Sequence, residues 1–170
     1  MEKNIYSVDG GSSFLQSVDT RYNIRGWISS INNSNLTNDS NKNNDANDLF
    51  GMEISYQQPS VAITDEVGQT YNTKQLYDGN ISAIRWKTNT QDPAQTPGER
   101  IYGFDYDIFK RFKNSYYATK SSGTWTVSAG NYNEAIDRYD ANGNIGGVTK
   151  LLILELFFRE KITTSFFNST

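Results

Sequence analysis

Hydrophobic and polar residues alternate with a period of two in several stretches of the chain, which is the pattern of β-strands with one buried face. Met52, Ile54 and Tyr56 would share one face of such a strand, with polar side chains on the other face. The stretch 102–106 alternates in the same way. Because no stretch before residue 150 has helical spacing, the pattern predicts an all-β protein, built as an array of antiparallel β-hairpins.

Segments that lack the alternation are predicted as loops. The stretch 32–48 is rich in Asn and Asp, whose side chains bond nearby backbone groups in place of a regular ladder, so we expect it to be solvated. The segment from Pro59 to Leu76 is polar and mixed in composition. The letters SSGTW at 121–125 mark a further break before the last predicted hairpin.

A sequence plan recurs at the predicted turns. A tyrosine is followed by Asp or Asn, then by turn residues, and then by an apolar residue six positions after the tyrosine; at Tyr77 the plan is shortened by two. The predicted structural motif consists of Tyr22, Asn23, Gly26, Trp27, Tyr77, Asp78, Gly79, Asn80, Tyr106, Asp107, Arg111, Phe112, Tyr139, Asp140, Gly143, Asn144 and Ile145.

The chemistry of this plan is structural. The Asp or Asn side-chain oxygen can accept from the backbone N–H two residues later, which closes an Asx-turn. Glycine supplies a positive φ without steric cost, as we expect at Gly79 and Gly143. The tyrosine ring would pack on the sheet while its hydroxyl finds water or backbone, and the apolar residue restarts the alternation.

The chain resembles the YD-repeat, or Rhs (rearrangement hotspot), proteins, most closely the large forms of Bacteroidetes-type bacteria. Five stretches carry the resemblance, in order: YNIRGWISSINNSNL, NDLFGMEISY, YDGNISAIRWKT, ERIYGFDYDIFKRFKNSYYAT and DRYDANGNIGG. It implies a YD-repeat ribbon of β-hairpins that winds into the wall of a hollow shell around a toxin or other payload. In that family the motif is architectural, and shell-type members are usually secreted, attached to the cell surface or delivered by a secretion system.

The resemblance divides the chain into three predicted regions. Residues 1–19 are weakly patterned, residues 20–149 form the repeat region, and residues 150–170 are atypical. The last region is rich in apolar residues and has no turn signals, so we interpret it as a frameshifted or truncated end. The alternative is a genuine terminal helix or strand that covers an open sheet edge.

Composition excludes several functional classes. The chain has no histidine and no cysteine, which removes the commonest general base, thiol chemistry and cysteine–histidine zinc sites. We therefore predict no enzyme, no cofactor and no metal. A net charge of −3 without clustered Lys or Arg predicts no nucleic-acid partner.

No membrane span and no signal peptide are expected. The apolar run 151–158 is shorter than the roughly 20 residues that a spanning helix needs. The first six residues lack an apolar run. Secretion or surface attachment is therefore implied by the resemblance alone.

Other interpretations of the same residues give other sites. Residues 140–144 resemble the start of a calcium loop, but the glycine falls at position 4 and position 12 is Leu151. Pairs of acids could be imagined as acid and base, namely Asp105 with Asp107 and Asp137 with Asp140. Exposed aromatics could stack on a sugar, namely Trp27, Trp86 and Trp125 with the tyrosines, although such residues more often pack in sheets.

The leading functional hypothesis is a non-catalytic structural segment of a YD-repeat shell. Its partners would be the remaining repeats of a larger polypeptide, or other copies bound through sheet edges. The alternative is a small surface module that binds glycan or protein through exposed aromatics. A hydrolase that uses carboxylates ranks last.

Overall fold

The computed structural model describes residues 2–6, 14–43, 48–58, 60–64, 68–89, 98–127, 132–151 and 162–164. Every regular element in these ranges is a strand, so the all-β prediction is confirmed. The strands are β1 (Glu2–Tyr6), β2 (Phe14–Tyr22), β3 (Ile28–Ile31), β4 (Phe50–Ser55), β5 (Ala62–Thr64), β6 (Thr70–Asn72), β7 (Ala83–Thr88), β8 (Arg100–Tyr106), β9 (Phe112–Ser121), β10 (Thr124–Thr126), β11 (Asn133–Tyr139), β12 (Ile145–Leu151) and β13 (Ile162–Thr164).

The chain forms two compact units. Unit 1 comprises Met1–Ser55 and Ile84–Arg100, and unit 2 comprises Tyr56–Ala83 and Ile101–Thr170. The three regions predicted from the resemblance stay a prediction; β2 and β12 run through the positions 19/20 and 149/150. Most of the region predicted as atypical, 150–170, lies outside the described residues.

Unit 1 is an antiparallel sheet in which β1, β2, β3 and β4 pair in chain order. β7 lies next to β4. A β-bulge between Arg21 and Tyr22 precedes the β2–β3 turn, so Thr20 pairs with Ile31 while Tyr22 pairs with Ile28. The bulge adds twist where the strand enters its turn.

The prediction of a solvated Asn-rich loop at 32–48 is wrong for its ends. Asn32 and Asp48 are fully buried, and Asn33 is 3% exposed. Asn32 accepts a hydrogen bond from the Asp19 N–H at 2.7 Å and donates one to the Phe50 carbonyl at 2.9 Å. Because its amide replaces missing ladder partners, the side chain is buried without loss of hydrogen bonds.

The rest of the Asn-rich segment folds around Asn33 and Asp39. Asn33 Nδ2 donates to the Thr37 carbonyl at 2.5 Å, and Asn33 Oδ1 accepts from the Thr37 N–H at 3.0 Å. Asp39 Oδ1 accepts from three consecutive N–H groups, those of residues 41, 42 and 43. The backbone N–H of Asn43 leads the interactions that hold the Asp39 pKa below its ordinary value. Among the described residues of this segment, 32–43 and 48, those exposed are 35 and 37–41.

In β4 the alternation is correct, but the more buried face is the polar one. Glu53 and Ser55 are 8% and 7% exposed, whereas Met52 and Ile54 are half-buried. Lys42 pairs with Glu53 at 2.6 Å, and Arg85 on β7 holds the other carboxylate oxygen. Paired in this way, a charged side chain tolerates burial that its hydropathy does not predict.

Unit 2 orders its strands as β8, β9, β10, β5 and β6, and β11 pairs with β9 and β12. β5 and β10 pair in parallel, whereas the pairs β9–β10, β5–β6, β9–β11 and β11–β12 are antiparallel. β13 pairs with β12 at Val148 to Lys150. The core of unit 2 consists of Ile63, Ala83, Ile101, Ala118, Trp125 and Val127.

One further loop prediction is wrong in part in unit 2, and a predicted break in the chain is a tight turn. The stretch from Pro59 to Leu76 contains the short strands β5 and β6, which pair with each other. The break at 121–125 is the tight turn of the β9–β10 hairpin, with Ser122 and Gly123 at φ of 49° and 86°. Positive φ at two successive residues is the geometry that matches the twist of a hairpin.

The burial of Asn32 gives a stability prediction. Asn32→Ala leaves the Asp19 N–H and the Phe50 carbonyl without their partner, and a buried unsatisfied group costs about 1–3 kcal/mol. We expect the free energy of unfolding, measured in urea, to fall by about 2 kcal/mol or more. The control is Asn41→Ala in the exposed loop, for which we expect a change within about 0.5 kcal/mol. Equal effects of the two variants would contradict this account.

Candidate functional site: the tyrosine turns and an aromatic cleft

Three turns have the same backbone hydrogen bonds. The first residue of each turn donates its N–H to the carbonyl of the fifth, at 2.8 Å from Asn23, 2.9 Å from Asp107 and 3.0 Å from Asp140. Its carbonyl accepts from the N–H of the fourth residue at 2.9, 3.0 and 3.1 Å in the same order. These turns join β2 to β3, β8 to β9 and β11 to β12.

The side chain of the first residue completes each turn. Its Oδ1 accepts from the N–H groups of the third and fifth residues, at 2.9 and 3.0 Å for Asn23, 2.9 and 3.0 Å for Asp107, and 2.9 and 2.8 Å for Asp140. One oxygen therefore satisfies two N–H groups that point into the turn.

The fourth residue of each turn has a positive φ. It is Gly26 at 80°, Lys110 at 64° and Gly143 at 85°. Glycine takes this conformation without a steric penalty, whereas a side chain pays for it. Lys110 takes it with every turn hydrogen bond in place.

The second carboxylate oxygen binds the fifth residue of the turn. Arg111 Nε donates to Asp107 Oδ2 at 2.7 Å, and Asn144 Nδ2 donates to Asp140 Oδ2 at 2.9 Å. Both oxygens of Asp140 are thus engaged within the turn. The described ranges contain no group of three or more His, Cys, Asp or Glu that could hold a metal ion. The calcium interpretation of residues 140–144 gains no ligand set from these residues.

These contacts lower the pKa of the turn carboxylates. The Asn144 side-chain amide and backbone N–H lower the pKa of Asp140 below its ordinary value. Partial loss of solvent raises the pKa of Asp107, but the N–H groups of the turn and the Arg111 guanidinium outweigh it, so the net shift is downward. In each case the hydrogen bonds favour the charged carboxylate.

The turn at Tyr77 departs from its predicted form. The Asx-turn closes, with the Asn80 N–H at 3.2 Å from Asp78 Oδ1 and Gly79 at a φ of 100°. It does not form a hairpin tip, because the preceding strand β6 pairs with β5. Instead an ion pair joins it to the next turn, because Lys110 Nζ lies 3.1 Å from Asp78 Oδ2.

Two of the motif tyrosines link consecutive turns. The Tyr106 hydroxyl donates to the carbonyl of Ile81 at 2.8 Å, and the Tyr139 hydroxyl donates to the carbonyl of Phe112 at 2.5 Å. The two partners lie 25 and 27 residues earlier in the chain. Each acceptor is the apolar residue that ends the preceding turn. The sequence predicts a backbone or water partner for the tyrosine hydroxyl but does not identify which group it is.

Arg111 adds a second link between two of these turns. Its guanidinium lies 4.1 Å from the centre of the Tyr139 ring and 5.2 Å from that of Phe109. A cation over an aromatic face is attracted by the ring quadrupole. The same side chain thus closes its own turn on Asp107 and contacts the tyrosine of the next.

The acids that could have formed a catalytic pair have separate partners. Asp105 pairs with Lys74 at 2.5 Å, and Asp137 accepts from the Thr149 hydroxyl at 2.6 Å. Asp107 and Asp140 close their own turns. Each of these four carboxylates therefore has a hydrogen-bond or ion-pair partner of its own.

Unit 2 also contains a cleft that sequence analysis missed. Its volume is about 230 Å³, and its lining includes Tyr71, Phe104 and Tyr116, with Lys74 and Asp105. The rings of Tyr71 and Tyr116 are stacked, with centroids 4.4 Å apart. Burial raises the pKa of the Tyr116 hydroxyl. Tyr71 and Lys74 lie in the stretch that was predicted as a loop, whereas Phe104 and Tyr116 lie on β8 and β9, which were predicted as a hairpin. No sequence signal indicated that these segments meet.

The tryptophans named for sugar stacking lie elsewhere. Trp125 is 7% exposed and belongs to the core of unit 2. Trp27 is half-buried, with the Arg25 guanidinium 5.2 Å from its ring. Trp86 is also half-buried.

Comparisons with known proteins add no identification. No protein-family model matches the chain, and no curated protein matches its sequence. Among the residues that the structure describes, no helix is long and apolar enough to cross a membrane. The resemblance to YD-repeat proteins stays a prediction from the sequence.

The carboxylate turns predict a dependence of stability on pH. A carboxylate with a lowered pKa in the folded state stabilises the fold above its unfolded pKa, about 3.9, and this stabilisation is lost as the pH falls through the folded pKa. In Asp140→Asn this loss cannot occur. Asn23 demonstrates that an amide oxygen can close the same turn.

We therefore expect the parent to lose stability relative to Asp140→Asn below about pH 4, as measured by urea midpoints. The reciprocal variant Asn23→Asp should gain this sensitivity to acid. Midpoint differences that stay constant with pH in both variants would show that the carboxylates do not stabilise the turns.

Proposed function

We propose that the chain is a non-catalytic wall segment of a YD-repeat (Rhs) shell, which encloses a toxin or other effector. The observation that carries the proposal is the link from two of the four motif tyrosines to the preceding turn, at Tyr106 to Ile81 and at Tyr139 to Phe112. A turn motif that also binds its predecessor is suited to building an extended wall by repetition.

The energetics of hairpins support this role. A two-stranded hairpin alone is marginally stable in water, and repeats gain stability from their neighbours. Here the second strand of one hairpin, β9, pairs with the first strand of the next, β11. The tyrosine hydroxyl and the Arg111 contact add to the same junction.

A wall segment would have defined partners and a defined location. In such a wall each end of the segment would pair with further repeats of a longer polypeptide, or with another copy. The shell would be secreted or attached at the cell surface, as the resemblance implies. The turn residues would have no catalytic role, because their polar atoms form the hydrogen bonds of the turns.

The proposal predicts that Tyr139→Phe weakens the preceding hairpin as well as its own. Loss of one hydroxyl should lower the free energy of unfolding by about 1 kcal/mol. Amide hydrogen exchange should become faster in β9, near Phe112, because the lost bond fixed that strand.

The control is Tyr77→Phe, since the Tyr77 ring is 64% exposed. It should leave exchange in β9 unchanged. If Tyr139→Phe accelerates exchange only within residues 133–151, consecutive turns are independent and the wall proposal is wrong.

A second candidate function rests on the cleft of unit 2. Tyr71 and Phe104 offer aromatic surface, and the Lys74–Asp105 pair offers charged donors and acceptors at the same opening. Aromatic faces beside paired polar groups are the chemistry that recognises a sugar ring. The candidate is a surface module that binds a single sugar residue of a glycan.

A glycan array, followed by calorimetric titration of any sugar that binds, tests this second function. Tyr71→Ala should abolish binding, whereas Trp86→Ala, outside the cleft lining, should not. An array without a hit, or binding that survives Tyr71→Ala, would reject the cleft as a glycan site.

A further inference from the structure

Two exposed asparagines of unit 1 begin a triplet that enzymes use to attach N-linked sugars. The triplets are Asn35-Leu36-Thr37 and Asn38-Asp39-Ser40. The same pattern occurs at Asn32-Asn33-Ser34 and at Asn80-Ile81-Ser82. The sequence alone does not distinguish the four, and a fifth triplet at Asn168 lies outside the described residues.

At Asn35 and Asn38 the triplet forms an Asx-turn. In it the asparagine oxygen accepts from both the backbone N–H and the side-chain hydroxyl of the third residue. Asn35 Oδ1 accepts from the N–H of Thr37 at 3.2 Å and from its hydroxyl at 2.7 Å. Asn38 Oδ1 accepts from the N–H of Ser40 at 3.0 Å and from its hydroxyl at 3.3 Å. Both turns use the amide oxygen, and all four residues are exposed.

Buried neighbours hold this loop in place. Leu36 is 9% exposed and packs over Gly51, where an added Cβ would lie 2.8 Å from Leu36 Cδ2. Asp39 is held by the three N–H groups described above. The acceptor asparagines therefore lie on the outside of an ordered loop, accessible to a large enzyme.

The other two triplets in the described chain are blocked. Asn32 is fully buried, and its Nδ2 donates to the Phe50 carbonyl. At the fourth triplet Ser82 is 1% exposed, and Asn80 Nδ2 donates to the Lys110 carbonyl at 3.4 Å. An enzyme cannot reach either triplet without unfolding the surrounding strands.

The reaction at an accessible triplet is a substitution at an anomeric carbon. Asn Nδ2 attacks that carbon of a sugar activated as a phosphate or diphosphate ester, and an N–C bond forms. The C–O bond to phosphate breaks, the phosphate group leaves with the electron pair, and the proton from Nδ2 passes to a base of the transferase. Donors at Oδ1 stabilise negative charge that develops on the amide, which eases loss of that proton.

We propose that Asn35 and Asn38 are N-glycan acceptor sites for a phosphate-activated sugar donor. The donor is either a lipid diphosphate oligosaccharide, used by a membrane transferase, or a nucleotide sugar, used by a soluble transferase. The acceptor chemistry on this chain is the same for both. The proposal concerns modification of the surface of unit 1 and does not depend on the wall function.

The test is transfer to the folded, full-length chain in two separate reactions. One contains a purified oligosaccharyltransferase with a lipid diphosphate sugar, and the other a soluble N-glycosyltransferase with a nucleotide hexose. An Asn168→Gln background removes the fifth triplet. Peptide mass spectrometry then locates the sugar, and synthetic peptides of the four triplets serve as unfolded controls.

We expect sugar at Asn35 and Asn38 of the folded chain in at least one reaction, with none at Asn32 or Asn80. Thr37→Val should abolish modification at Asn35 and leave Asn38 modified, whereas Thr37→Ser should retain it. Ser40→Ala should have the reciprocal effect. Absence of sugar at Asn35 and Asn38 in both reactions would overturn the proposal, as would equal modification of Asn32 and Asn80 in the folded chain.

Discussion

The turns of this protein depend on one side-chain oxygen that accepts from two backbone N–H groups. That oxygen belongs to Asn23, Asp107 or Asp140, and the donors are the third and fifth residues of the turn. The contact fixes where each strand ends and where the returning strand begins. In the Asp107 turn it thereby places Phe112, whose carbonyl accepts from the Tyr139 hydroxyl. The register of the tyrosine-linked hairpins follows from a local contact of five residues.

Local chemistry explains which features could be predicted from the sequence. An Asx-turn involves residues that are adjacent in the chain, so its residue types are visible as a motif. The acceptor of the Tyr139 hydroxyl lies 27 residues away and is a carbonyl, which every residue possesses. The cleft beside Tyr71 likewise combines residues from segments far apart in the chain, 70–74 with 103–105 and 116. The turns were therefore accessible to sequence analysis, whereas the junctions and the cleft were not.

Polar burial accounts for the largest errors. The Asn32 side chain is hydrophilic, yet it is fully buried, because its amide forms hydrogen bonds with the backbone of two strands. Glu53 is buried because Lys42 and Arg85 neutralise it. Both outcomes depend on partners distant in sequence. Hydropathy therefore indicated the period of β4 correctly but not which of its faces is buried.

A double-mutant cycle on Asp107 and Tyr139 tests most directly whether consecutive turns are coupled. Free energies of unfolding would be measured for the parent, Asp107→Ala, Tyr139→Phe and the double variant. If the Asp107 turn positions the Phe112 carbonyl for Tyr139, its loss removes most of the benefit of the hydroxyl, and the double variant is less destabilised than the sum of the two. Strict additivity would contradict the account, because each turn would then be an independent unit.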